Sequence, residues 1–182
     1  MKTDFNLSEK NWLYINHKDK IKFIHSHQPF GVKLVNYSDS INSQINTNEK
    51  IVDIPFENID QGANLPGLTD FRGSAPPMRF FYEGIDGWLS IIHEVSRRRD
   101  GNGLCYLHRF VFYNPDLHVK YISQMFYFEQ RGIEFCRSMS YTYDEKMIVI
   151  GVGIKDLYAK LFEVEIETIK SMLIPLDNFM NV

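Results

Sequence analysis

Apolar and polar residues alternate with a period of two along most of the first 164 residues. A strand with one buried face has that period, and an amphipathic helix does not. The alternation predicts strands over 20–27, 31–35, 49–54, 78–82, 88–95, 104–113, 118–123, 135–141, 146–152 and 157–164. Turn-forming clusters separate them, among them Asn16-His17-Lys18-Asp19, Glu83-Gly84-Ile85-Asp86-Gly87 and Asn114-Pro115-Asp116. Only the tail changes period. Ile166, Ile169 and Leu173 fall at helical spacing and predict a short helix over 165–174, which Pro175 ends.

The length of 182 residues suits one domain. A content of 44% hydrophobic and 24% charged residues excludes wholesale disorder. The net charge of −3 argues against non-specific nucleic-acid binding, which needs a basic surface. Two cysteines, Cys105 and Cys136, cannot make a disulfide framework and read as buried thiols. The N-terminus lacks the apolar stretch of a signal peptide, and no apolar run is long enough to span a membrane. A cytoplasmic protein is therefore expected. Aromatic residues reach 14%, which favours strands and a ring-lined groove.

The strands recur in similar groups. Phe23-Ile24-His25-Ser26, Ile91-Ile92-His93-Glu94 and Val149-Ile150-Gly151-Val152 are equivalent apolar segments, spaced at roughly 60 residues. Three units follow, over 9–60, 71–124 and 133–164. Four-stranded antiparallel units of this kind are what propeller blades look like. The expected fold is all-β, an incomplete antiparallel β-propeller of about three blades with a short C-terminal helix. Three blades do not close a ring. Two faces are left open, and large apolar side chains of the first and third units are expected on them. Self-association, or pairing with an N-terminal propeller fragment, would cover them.

Several constellations could carry chemistry. Lys10, Asn11 and Trp12 put polar groups beside an indole at a strand entrance, which suits a sugar with hydroxyls on its edge and C–H bonds on its face. Arg72 heads Arg72-Gly73-Ser74-Ala75-Pro76-Pro77, a stiff segment on which a guanidinium could clamp phosphate or carboxylate. His93 ends an apolar strand and could meet phosphate or move a proton. Tyr106 and His108 share a strand face, with Arg109 on the other. His25 and His27 also share a face but lack an evident third metal ligand, so no metal and no cofactor are expected. Glu134 and Asp156 each place a carboxylate near a glycine at a strand end. Paired carboxylates serve glycosidases, although sequence spacing does not set their separation in space. The sequence holds no phosphate-binding loop, nucleophile elbow or dinucleotide fingerprint.

Taken in order, Glu9-Lys10-Asn11-Trp12, Arg72-Gly73-Ser74-Ala75-Pro76-Pro77, Gly87-Trp88-Leu89-Ser90-Ile91-Ile92-His93 and Gly153-Ile154-Lys155-Asp156 resemble the five-bladed β-propellers of the β-mannoside phosphorylase and β-mannosyltransferase superfamily. The likeness runs from about Glu9 to Leu173 and corresponds to the C-terminal three blades. It implies that the Pro-Pro strand, the Trp-Leu strand and His93 line a central cavity. Arg72 and His93 would face sugar or phosphate, with Asp156 at the sugar site and Lys10 and Asn11 at the mouth. Two departures stand out. Val152 precedes Gly153 where the family usually has Tyr, and the family's first two blades, which carry its catalytic aspartate, have no counterpart.

The resemblance implies part of a glycosyltransferase or glycoside phosphorylase acting on β-linked hexosides, with the catalytic acid supplied by the missing blades. Its partner would be a carbohydrate or sugar phosphate. The alternatives are a sugar-binding or assembly module without catalysis, and a decayed fragment.

Overall fold

In the computed structural model, residues 11–18, 20–27, 30–34, 56–57, 71–97 and 103–179 are described. Their strands fall into three antiparallel sheets, none of them closed into a barrel. The first contains β1 (Leu13–His17), β2 (Lys20–His27), β3 (Phe30–Leu34) and β4 (Phe56–Glu57), in that order. The second contains β5 (Arg72–Tyr82), β6 (Ile85–Arg97), β7 (Leu104–Tyr113) and β8 (Val119–Ser123). The third contains β9 (Glu134–Tyr141), β10 (Met147–Ile154) and β11 (Tyr158–Glu165), with β10 in the centre. After these come α1 (Ile166–Met172), β12 (Leu173–Pro175) and α2 (Leu176–Phe179).

The second sheet is the middle layer, and its alternation supplies two cores. Trp88, Ile92, Val111 and Tyr113 pack with Leu13, Ile15 and Ile24 of the first sheet. Leu89, Ile91, Phe110 and Phe112 point the other way, against Ile148, Ile150, Val152 and Ile154 of the third. Successive side chains on β6 and β7 therefore serve opposite cores, as a strand's period of two requires. The two turns at one end of the first two sheets are also tied together. His17 Nε2 donates to the Pro115 carbonyl over 2.5 Å, and Lys18 pairs with Asp116 at 2.8 Å.

The structure departs from the sequence expectations in four places. First, β1 forms across Asn16-His17, which reads as a turn in the sequence, because Leu13, Ile15 and His17 alternate inward. Second, β5 begins at Arg72 and runs through Pro76-Pro77. Prolines cannot donate to a ladder, and they are accommodated because the register jumps from Ala75↔Ile91 to Met78↔Leu89. Third, the helix stops at Met172, and residues 173–175 add to the middle sheet beside β8, with Leu173 buried. The last concerns the outward face of the third sheet, where few large apolar side chains stand. Gly151 and Gly153 lie there, with Val149 between Ser140 and Glu163 and the exposed Leu161 beside Gly151. The strand expected over 49–54 lies outside the described residues.

Both cysteines are free and buried. Burial pushes the Cys136 thiol up to about 12, which makes it inert at neutral pH. Among the described residues, no helix is long and apolar enough to cross a membrane.

Candidate binding cleft

The first strand of the middle sheet, β5, packs between β1 and β9, the first strands of the other two. A cleft of about 380 Å³ opens where the three meet. The start of β1 lends it Trp12 and Tyr14. From β5 come Ser74, Pro76, Pro77 and Met78, and from β9 Arg137, Ser138 and Met139.

Broken strand pairing is what aims these side chains. Along β5 the register steps from Gly73↔Ile92 to Ala75↔Ile91, so Ser74 has no partner residue on β6. Pro76 and Pro77 fall within the next step. Along β9 the register steps from Val152↔Cys136 to Gly151↔Ser138, which leaves Arg137 as the extra residue. A bulge of this kind bends the strand and redirects a side chain that regular alternation would send elsewhere. Ser90 Oγ steadies the β5 bulge by donating to the Ala75 carbonyl at 3.0 Å.

Gly73 lets the cleft form. A Cβ there would sit 2.4 Å from the Asn11 carbonyl oxygen and 2.4 Å from Leu13 Cγ. No side chain fits where β1 and β5 approach so closely.

Behind the cleft wall lies a buried polar group. Ser74 Oγ and His93 Nδ1 share a hydrogen bond of 2.9 Å, and both residues are buried. Tyr106 stacks on the His93 ring at 5.1 Å, and the Phe135 edge meets it at 5.4 Å. Burial, with Arg72 nearby, lowers the His93 pKa to about 4. His108 lies 6.2 Å from His93, among Phe126 and Phe128. Neither of its ring nitrogens has a hydrogen-bond partner of normal geometry. Burial and the neighbouring His93 lower its pKa to about 3, against a weak opposing pull from the Glu134 backbone. Both rings are neutral at pH 7.

The residues singled out in the sequence therefore separate into groups. Trp12 lines the cleft, and Asn11 stands beside it with a φ of 62°. Lys10 lies outside the described residues, as do the side chains of His25 and His27. Arg72 is exposed and pairs in register with His93, but neither lines the cleft. His93, Tyr106 and His108 form the buried cluster instead. The Glu134 carboxylate is buried and accepts the backbone N–H groups of Phe128, Glu129 and Gln130 at 2.6, 2.9 and 2.7 Å. It holds the connection between β8 and β9. Asp156 is exposed in the turn between β10 and β11 at a φ of 56°, away from the cleft lining. Trp88 is buried in the core with the Arg79 guanidinium 4.2 Å from its ring.

Ser74, Arg137 and Ser138 are the cleft residues that carry polar side chains and that strand alternation does not mark. The one trace is the adjacent polar pair Arg137-Ser138, which interrupts the alternation of β9. Among the described residues, no group of His, Cys, Asp and Glu side chains is placed to hold a metal ion. Comparison with protein-family models, with characterised proteins and with solved structures returns no match.

Proposed function

We propose that this chain is a carbohydrate-binding β protein of the propeller type, with a β-linked hexose unit seated in the cleft between β1, β5 and β9. The observation that supports this reading is the composition of the cleft. An indole and a phenol line it together with two hydroxyls and a guanidinium, in a space of about 380 Å³. Pockets for small molecules begin at roughly 300 Å³, so a monosaccharide unit fits. Rings can stack on the C–H face of the sugar while the hydroxyls and Arg137 meet its polar edge.

Binding is better supported than turnover. Glycoside cleavage uses two carboxylates across the scissile bond. Among the described lining residues there is none. In the glycosyltransferase or phosphorylase version of the reading, the catalytic acid comes from another polypeptide segment, and this chain contributes the sugar platform.

Titration calorimetry with β-linked manno-oligosaccharides tests the proposal. The wild type should bind, and Trp12→Ala should weaken binding by about tenfold, the order expected for losing one stacked ring. Undiminished binding by that variant would remove the cleft from the account. Release of mannose or mannose 1-phosphate by the isolated chain would replace the binding role with an enzymatic one.

A further inference from the structure

We infer that the cleft selects a sugar carrying a single carboxylate, a uronic acid, with Arg137 as the residue that recognises it. The inference rests on the carbohydrate reading above and narrows its ligand.

Arg137 is the one charged side chain among the described cleft residues. It is exposed, and no hydrogen bond or ion pair to another described residue engages it. Its position is built, since it is the extra residue of the β9 bulge opposite Gly151 and Val152. A guanidinium presents two parallel N–H donors, which match the two oxygens of one carboxylate. A phosphate dianion asks for more, namely three oxygens and about twice the charge. Phosphate sites usually meet that demand with clustered backbone N–H groups or several cations. Here β5 offers Pro76 and Pro77, which have no N–H to give. Ser74 is already bonded to His93. One free guanidinium beside two prolines suits one planar, singly charged group.

The test compares β-linked mannuronate and mannose disaccharides of equal length, with inorganic phosphate as a third probe, at low and high salt. The uronate should bind about tenfold or more tightly than the neutral sugar, an advantage that shrinks as salt rises. Arg137→Gln should abolish the difference, because it weakens uronate binding far more than neutral-sugar binding. Arg137→Lys should restore only part of it, because an ammonium lacks the fork. Arg137 is exposed, so both variants should fold, which circular dichroism would verify. Equal binding of acidic and neutral sugars overturns this inference and leaves the carbohydrate reading standing. Tighter binding of phosphate than of uronate also overturns it. Binding of no sugar at all overturns both.

Discussion

The hydroxyl of Ser74 and Nδ1 of His93 lie 2.9 Å apart at the boundary between the cleft and the core. Ser74 is an unpaired bulge residue of β5, and His93 sits in the regular ladder of β6 opposite His108. The bond thus fixes an irregular wall to a regular layer. In Ser74→Ala the buried imidazole loses its partner, which should cost about 1–3 kcal/mol. Urea denaturation at pH 7 would measure it. A loss within error of zero would mean that the bulge holds without the bond.

Glu134 organises the segment between β8 and β9 by accepting three backbone N–H groups with its two carboxylate oxygens. Glu134→Gln keeps the shape but turns one oxygen into a donor that faces a donor. Hydrogen exchange should speed up at the amides of Phe128, Glu129 and Gln130, with a stability loss on the order of 2 kcal/mol. Unchanged exchange at those amides would show that the loop is held by its aromatic side chains instead.

Gly73→Ala should be among the most disruptive single-methyl additions to the chain. The new carbon would meet the Asn11 backbone at 2.4 Å, and backbone cannot swing aside as a side chain tip can. A loss of about 2 kcal/mol is expected, as for overpacking in a well-filled core. Gly84→Ala makes the contrasting control. Nothing lies within 4 Å of a Cβ at Gly84, and its φ of +74° leaves only backbone strain, on the order of 1 kcal/mol. Equal midpoints for the two variants would contradict the close approach of β1 and β5.

Stability should fall on acidification through the two buried histidines. The folded chain keeps His93 and His108 neutral down to about 4 and about 3, whereas an unfolded imidazole protonates near 6.5. Below that value the unfolded state binds more protons. The stabilisation is therefore complete above pH 6.5 and is lost as the pH drops toward the folded pKa values. The slope approaches about 1.4 kcal/mol per pH unit for each ring. His108→Leu removes one ring and two unpaired buried nitrogens. It should roughly halve the slope between pH 6 and 4 and raise stability at pH 7 by about 1 kcal/mol. A flat pH profile for the wild type would contradict the burial of both rings.

The period-two alternation determined the class of the fold. Residues such as Leu89, Ile91, Ile92 and Val111 specify strands covered on both faces, because a strand's side chains must alternate whatever it pairs with. Trp12 was legible as a ring at a strand entrance, and it lines the cleft. The tail was half legible. The spacing of Ile166, Ile169 and Leu173 announced a helix, while pairing of 173–175 with β8 depended on an edge that no local pattern reveals. The rest of the cleft was decided in three dimensions. Arg137 and Ser74 reach it only because β9 carries one residue, and β5 two, more than their partner strands, and a bulge is a property of a pair of strands. The same holds for Glu134 and His93. A carboxylate near a glycine and a histidine at a strand end look accessible in sequence. Burial under the aromatic residues of β7 and the 124–133 segment turned one into a loop clamp and the other into the backing of the cleft wall, because burial is set by what packs on a residue and not by its own type.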